Sequence, residues 1–349
     1  MKLRRWGALI LAILCCVLRP SWAAEPADPG KESAAAERAQ LFIGLLKRRA
    51  QKILEAHRAP PPPLFGFSTG VAEGVESNVN LDGERRGDTF TEESASFLFR
   101  PQFRPWAKGE FSWSLLNSHF REFTDSNLWM NTWAGMLQIR PHRLLRLDLG
   151  AEYGTLNFPR DSDSSFSDQR FKASLSAAQT SWLTHKIGWV YQLREYDTRL
   201  ARDSGGTRLA GLNREDRRHT GLAELQFRFP KFSARVGGEF YRNFSNDQSN
   251  EFYDWEDFRF RGVLTRIFSP QWIGILTASQ ERKNYQSRTV PAINVAERDN
   301  LLTLGGSLIY QWTSRLSVTY SLTYRTQDSN DPRLDFTDWI NQLGVTLSF

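Results

Sequence analysis

The chain has 349 residues, and its 45 basic and 39 acidic side chains give a formal net charge of +6. No stretch beyond residue 23 has the roughly 18 consecutive apolar residues of a membrane-spanning helix, which excludes a helical membrane protein. Both cysteines, Cys15 and Cys16, lie before that point, so the rest of the chain has no thiol chemistry. Aromatic residues make up 13% of the chain, with 12 Trp, which is unusual for a soluble protein.

Residues 1–23 have the organisation of a secretory signal peptide. A basic stretch at residues 2–5 is followed by an apolar run at 8–18, and Ser21 and Ala23 give a small-x-small cleavage site. The apolar run is shorter than the roughly 20 residues that a membrane anchor needs. We therefore expect export of the chain and cleavage after Ala23.

Residues 24–58 contain the one strong helical pattern in the sequence. Leu41, Leu45 and Ile53 belong to an apolar stripe that recurs at three- and four-residue steps within residues 31–57. The four prolines within residues 59–63 end this amphipathic helix and form a stiff linker.

From residue 64 to residue 349 the apolar period changes to two. Within residues 145–153, 232–240 and 316–324, apolar residues occupy every second position, and polar residues or glycines lie between them. Each segment is therefore a strand with one apolar and one polar face. A soluble β-sandwich also shows this alternation, so the alternation alone does not distinguish a sandwich from a barrel. The lengths of the connections between strands make this distinction.

The predicted connections alternate between short turns and long polar loops. Six turns and seven loops separate about fourteen strands, and this even number is typical of transmembrane β-barrels. The turns are 105–109, 141–143, 179–181, 230–231, 269–271 and 313–314, and the loops are 80–88, 123–127, 157–168, 197–216, 245–251, 287–297 and 327–335.

Aromatic residues are sorted between the two ends of the predicted strands. A sandwich has no reason for such sorting, whereas a membrane barrel carries an aromatic girdle at each interface. The sequence therefore predicts an all-β fold, a transmembrane antiparallel β-barrel of about 14 strands with a short N-terminal periplasmic helix. The turn-end set is Trp106, Trp182, Trp272 and Trp312, and the loop-end set is Trp129, Trp255, Trp339, Phe120, Tyr196, Phe252 and Tyr285.

The last residues of the chain resemble the C-terminal assembly signal of Gram-negative outer-membrane β-barrel proteins. Gln342, Gly344, Leu347 and the final aromatic Phe349 match its positions. The resemblance implies insertion by the barrel-assembly machinery into the cell outer membrane. Residues 74–80 are similar to the first strand of several such families, including the barrel of surface-lipoprotein assembly modifiers. Those proteins have a helical-repeat domain before the barrel, whereas this sequence has one helix there.

The polar faces of the strands carry the residues that we expect to line the lumen. A low-dielectric wall concentrates the field of such charges, so a mainly basic set favours anionic solutes. A salt-bridged filling that only keeps the lumen hydrated is the alternative, and the facing of the strands around Met130 and Trp272 stays open. The expected set is Arg100, Arg146, Lys172, Lys186, Arg194, Arg228, Arg235, Arg259, Arg261, Arg325, Asp148, Glu152, Glu224 and Glu239.

The longest predicted loop, 197–216, is rich in arginine. It could fold inward as a constriction, bind lipopolysaccharide phosphates, or remain a solvated loop. The apolar stripe of the N-terminal helix also has three possible partners: the lumen, the inner leaflet surface, or a periplasmic protein or second copy. A wet, charged lumen suits an apolar stripe poorly, so we favour association in the periplasm.

The sequence predicts no enzyme, cofactor, metal site or nucleic-acid partner. Its histidines (His57, His119, His142, His185 and His219) lack catalytic or metal-ligand spacing, although His119 near Asp125 and His219 near Asp216 could meet at the loop end. We expect an outer-membrane channel for a solute or polymer that contacts membrane lipid and lipopolysaccharide. The alternatives are an assembly or export helper for surface lipoproteins or polysaccharide, and a non-conducting structural barrel.

Overall fold

The computed structural model describes residues 64–81, 85–203, 207–247, 252–290 and 293–349. The predicted signal peptide, amphipathic helix and proline-rich linker lie outside the described residues. Within the described part of the chain, no helix is long and apolar enough to cross a membrane.

The described chain folds into antiparallel strands joined by turns and three short 3-10 segments. The strands are β1 (Phe65–Glu76), β2 (Asp88–Phe99), β3 (Gln102–Arg104), β4 (Ala107–Phe120), β5 (Leu128–His142), β6 (Leu145–Asn157), β7 (Phe166–Ala178), β8 (Leu183–Arg202), β9 (Arg208–Arg228), β10 (Phe232–Ser245), β11 (Trp255–Ile267), β12 (Trp272–Val290), β13 (Val295–Gln311), β14 (Leu316–Ser329) and β15 (Phe336–Ser348). The 3-10 segments are Thr124–Ser126, Ser162–Ser164 and Pro332–Leu334.

The sheet closes into a barrel of 14 strands, with β3 as a short addition beside β4. The last strand pairs with the first, so that Val345 lies opposite Val71. On the other side of β1, Val71 lies opposite Glu93 of β2, and β2 pairs directly with β4. The predicted strand number and antiparallel architecture are therefore confirmed. A closed barrel leaves no unpaired sheet edge, which is the condition for strands to cross a membrane.

The outer face of the barrel is apolar over much of its surface. In β6, Leu145, Leu149 and Tyr153 are exposed, while Asp148 between them is buried on the inner face. Exposed apolar side chains surrounding a closed barrel form the belt of a membrane-spanning β-barrel. The alternation identified in the sequence thus divides outside from inside.

One sector of the outer face is polar. Thr91 donates a hydrogen bond to Glu73 (2.8 Å), and the amide of Asn117 donates one to Glu93 (3.4 Å). Glu93 lies opposite Val71 in the middle of β1, so this carboxylate lies at the same height along the barrel wall as exposed apolar residues. A carboxylate on a lipid-facing surface costs free energy, and the cost depends on its depth.

The two termini of the barrel wall meet at the end that carries the short turns. The backbone N–H of Phe349 donates to the carbonyl of Phe67 (2.8 Å), and that of Phe67 donates to Phe349 (3.3 Å). The opposite end carries the longer hairpins. We refer to these as the short-turn end and the long-hairpin end.

Two of the predicted loops are largely strand. β8 has 20 residues and β9 has 21, and Arg202 still lies opposite Arg208 in their ladder. The loop predicted at 197–216 is therefore an extended hairpin, and β12 and β13 likewise fill most of 287–297. The prediction was wrong there because these strands extend past the apolar belt, where charged and polar residues interrupt the regular alternation.

The aromatic girdles were predicted correctly in part. Trp106, Trp182, Trp272 and Trp312 are exposed near the short turns, and Trp129 and Trp339 are exposed near the other end. The assignment of Phe120, Tyr196, Trp255 and Tyr285 to the outer girdle was wrong, because these rings are buried on the inner face. Closeness to a strand end does not fix which face a residue occupies. Tyr153, Trp189, Phe240 and Phe258 are exposed on the outer face.

Candidate functional site: the charged lumen wall

The structure places the charged residues expected in the lumen on the inner face of the barrel. Thirteen of the fourteen lie in strands, at positions that alternate with exposed apolar residues, and Arg100 directly follows β2. Arg100 forms an ion pair with Glu110 of β4 (3.3 Å). Most of the set belongs to the wall formed by β6 to β11, which we call the charged wall. That it lines a conducting passage remains a prediction.

Towards the long-hairpin end, carboxylates on β6 and β7 neutralise several cations. Arg170 bridges Glu152 (3.1 Å) and Asp168, and Lys172 also contacts Glu152 (2.6 Å). Arg194 of β8 lies 3.7 Å from Asp168. Charge-assisted pairs of this kind hold long side chains against the wall.

A second set of ion pairs joins β9, β10, β11 and β12. Arg261 contacts Glu239 (2.5 Å) and Glu224 (3.8 Å). Arg259 donates from Nε to Glu281 (2.8 Å), and its guanidinium lies 5.0 Å from the centre of the Tyr241 ring. These contacts bring together cations and carboxylates that are far apart in the sequence.

Arg325 has a different role from the other predicted lumen residues. It contacts Asp338 (2.5 Å) and Glu76 (2.6 Å), and the side chains of Arg325 and Asp338 are 3% and 0% exposed. Asp338 also accepts hydrogen bonds from the Ser77 hydroxyl and the Asn78 backbone N–H, both 3.0 Å. This group, which we call the seam clasp, joins β14 and β15 to β1 and the residues that follow it, where the barrel closes.

The short-turn end of the charged wall is mainly basic. Arg146 of β6 pairs with Asp148 (3.1 Å), and Lys186, Arg228 and Arg235 lie on inner positions of β8, β9 and β10. The charged groups that act most on Arg228 are Arg146 and Arg140. Sequence reasoning missed Arg140, although its position in β5 has the same parity as the inward Gln138.

Other inward charges were missed as well. Asp168 and Arg170 have the same parity as Lys172 in β7, so extending the alternation to the strand end would have found them. Glu281 and Lys283 lie on β12, for which the sequence left the facing open. Arg214, assigned to a basic loop, is buried in β9, pairs with Asp216 (2.6 Å), and lies 3.6 Å from the centre of the Tyr253 ring.

Towards the short-turn end, the wall formed by β13, β14, β15, β1, β2 and β4 carries several small inner residues. Ser68 and Ser96 are hydrogen bonded across β1 and β2 (2.7 Å), and Ser307 and Ser321 across β13 and β14 (2.9 Å). Gly344 is so close to Ala72 that an added Cβ would lie 2.9 Å from the Ala72 Cβ. The inner side chains in this part are short, whereas long cations extend from the charged wall.

The connection between β14 and β15 lies at the rim of the long-hairpin end. Asp335 accepts a hydrogen bond from the backbone N–H of Ser329 (2.7 Å). Burial raises the pKa of Asp335 to about 6, and the nearby Asp328, Asp299 and Asp331 act in the same direction. At neutral pH this carboxylate is charged at a free-energy cost to the folded connection.

The geometry does not support the histidine pairing considered from the sequence. His219 lies on the outer face, 5.2 Å from Tyr191 between ring centres, whereas Asp216 is buried on the inner face of the same strand. His119 is exposed and lies 2.7 Å from the Asn117 amide. Among the described residues, no group of three or more His, Cys, Asp or Glu side chains could hold a metal ion.

No protein-family model matches the sequence, and no curated protein is significantly similar to it. The fold is similar to solved outer-membrane β-barrels. OprB of Pseudomonas putida is 10% identical over 82% of this chain and 94% of its own, with a TM-score of 0.46. A loop-deletion mutant of OmpT from Vibrio cholerae is 9% identical, covering 82% and 99%, with a TM-score of 0.45. At these values the likeness carries no argument about function.

Proposed function

We propose that the protein is an outer-membrane channel that passes small, preferentially anionic, solutes. The observation that carries this proposal is the charged wall on the inner face of a closed barrel whose outer face is largely apolar. Charged walls in a narrow bore attract ions of opposite sign and repel those of like sign. The basic excess near the short-turn end supports the preference for anions.

The proposed location is the outer membrane of a Gram-negative bacterium, with the short-turn end in the periplasm. The apolar belt supports contact with membrane lipid, and the long-hairpin end would face lipopolysaccharide. The resemblance of Gln342, Gly344, Leu347 and Phe349 to an assembly signal supports insertion by the barrel-assembly machinery. The helix predicted within residues 31–57 would then bind a periplasmic partner or a second copy of the chain.

The test is the reversal potential of the purified full chain in planar bilayers under a salt gradient. We expect a measurable conductance and an anion preference. Arg208→Gln is the control variant, because Arg208 is an exposed cation of the long hairpin. The one ion pair of Arg208 among the described residues is a long contact with the exposed Asp163 (3.9 Å), so this variant should leave the selectivity unchanged. Cation preference would contradict the proposed selectivity, and absence of conductance would favour a structural or assembly role.

A second test concerns the N-terminal helix. Removing residues 31–63 should leave the conductance nearly unchanged and abolish crosslinked oligomers or partner complexes. A large new conductance in the truncated chain would instead identify the helix as a plug.

A further inference from the structure

Near the short-turn end, the inner face of the barrel carries a concentration of cations with too few carboxylates. Neighbouring inner positions across β6 to β11 are Arg146, Ser176, Lys186, Glu224, Gly237 and Arg261, each opposite the next in the ladder. Arg140, Arg228 and Arg235 lie closer to the turns. The nearby inner residues Asp148 and Glu239 also belong to this region. The region therefore has six cationic side chains and three carboxylates.

Two of these cations form ion pairs with the carboxylates, and Glu224 also attracts Lys186 and Arg235 at longer range. Asp148 pairs with Arg146, while Glu239 and Glu224 contact Arg261. Among the residues that the structure describes, no carboxylate lies within 4.0 Å of the terminal nitrogens of Arg140, Lys186, Arg228 or Arg235. These four side chains form, with Arg146, what we call the basic cluster.

Several members of the basic cluster act on one another as like charges. Arg146 and Arg140 are the charged groups with the largest effect on Arg228. Arg235 is attracted most by Glu224, and it is repelled by Arg261 and Arg228. Repulsion between guanidinium groups is strong beside a low-dielectric wall and is relieved by an anion placed between them. A guanidinium also presents paired N–H donors that match the two oxygens of a carboxylate, phosphate or sulfate.

Two inner positions beside the cluster carry short residues. Ser176 is the inner residue between Arg146 and Lys186, and Gly237 is the inner residue between Glu224 and Arg261. Both residues are buried by their neighbours, and an added Cβ at Gly237 would lie 3.2 Å from the Glu224 Cβ. No long side chain therefore lies between Arg146 and Lys186 along this ladder.

We propose that the basic cluster is a saturable subsite for a multivalent oxyanion in the short-turn half of the lumen. The inference rests on the proposed function, because the ligand must enter the lumen. The shared chemistry is a solute with two or more carboxylate, phosphate or sulfate groups. Such a solute contacts several cations at once, whereas chloride contacts fewer and exchanges faster.

The experiment uses the full chain in planar bilayers carrying a chloride current. Pyrophosphate, citrate or neutral glucose is added from the short-turn side. Pyrophosphate or citrate should reduce the current in a saturable manner, while glucose should have no effect. Stronger block by pyrophosphate indicates a phosphate-type ligand, and stronger block by citrate a polycarboxylate.

Variants locate the subsite. Arg228→Gln and Arg235→Gln should each raise the half-blocking concentration at least tenfold, whereas Arg208→Gln on the exposed hairpin should not change it. Arg235→Lys keeps the charge but loses the paired donors, so its half-blocking concentration should lie between those of Arg235→Gln and Arg208→Gln. Heat-modifiable migration on gels confirms that each barrel is folded, and the two Gln variants on different strands test the same idea independently.

Calorimetric titration of the detergent-solubilised full chain with pyrophosphate and citrate separates the two proposals. Binding that Arg228→Gln and Arg235→Gln weaken, in a protein without conductance, would support the subsite and contradict the channel. Conductance with block that does not saturate, or that these variants leave unchanged, would overturn the subsite and leave the channel intact.

Discussion

Replacing Asp338 with alanine should destabilise the barrel at the seam clasp. The carboxylate of Asp338 accepts hydrogen bonds from Arg325 Nε (2.9 Å), from the Asn78 N–H (3.0 Å) and from the Ser77 hydroxyl (3.0 Å). Its side chain is completely buried. Alanine would remove all of these acceptor contacts, and Glu76 alone would have to neutralise Arg325.

The magnitude follows from the burial of the group. Removing one partner of a buried ion pair costs about 3–5 kcal/mol, because the remaining charge loses its counter-charge inside the protein. Glu76 still contacts Arg325 at 2.6 Å, so the lower limit applies. We expect a loss of about 3 kcal/mol, which corresponds to roughly a hundredfold change in the unfolding equilibrium.

The assay is urea unfolding of the barrel in lipid vesicles, followed by tryptophan fluorescence. Asp328→Ala is the matched control, because Asp328 belongs to β14 and is exposed. Asp338→Asn keeps acceptor oxygen for Asn78 but loses the charge, so its effect should lie between those of the other two variants. If Asp338→Ala unfolds at the same urea concentration as Asp328→Ala, the clasp does not stabilise closure and the reasoning is refuted.

Three further changes test other parts of the barrel. Phe349→Asp should reduce the heat-modifiable barrel in outer-membrane fractions, because a charge would replace a ring that packs near Phe67 (6.4 Å between centres); wild-type amounts would contradict this. Asp335 has a raised pKa of about 6, so its contribution to stability is full below about pH 4 and is lost as the pH rises through 6. Asp335→Asn should therefore increase amide-exchange protection of Ser329 at pH 7 but not at pH 4, and equal gains at both would exclude titration as the cause. Glu93→Leu should raise the urea midpoint in vesicles, since it removes a carboxylate from the outer face, and a lower midpoint would show that the hydrogen bond from Asn117 outweighs the cost of this charge.

The barrel was predictable from the sequence because its main signal is local. Alternation in segments such as 145–153 fixes which residues face outward, and the short turns fix the direction of the next strand. Closure also followed, because every strand needs two neighbours in a membrane. The extended β8–β9 hairpin was missed because the regular alternation of apolar and polar residues ends beyond the apolar belt, although the backbone hydrogen bonds of the hairpin continue.

The site could be predicted only in part. The face that a residue occupies follows from its position in the alternation of its strand, but its ion-pair partners depend on how neighbouring strands are aligned. Arg325 lies on the inner face, where its contact with Glu76 joins residues separated by 249 positions. Trp255 was assigned to the wrong face, since cations of the inner wall, Arg218 and Lys283, lie over its ring at 4.6 Å. A buried ring of this kind looks the same in a sequence as a membrane-interface tryptophan.

The residues that close the barrel and the residues to which we assign selectivity lie on different parts of the wall. The seam between β15 and β1 requires small or buried inner groups, because Gly344 and Ala72 are in close contact and Asp338 has no exposed surface. The basic cluster lies on β5 to β10, which contribute nothing to the seam. Changes at Arg228 should therefore alter ion selectivity with little effect on stability, and changes at Asp338 should do the reverse. Coupled losses in both variants would mean that the lumen charges form one structural network rather than a separate clasp and passage.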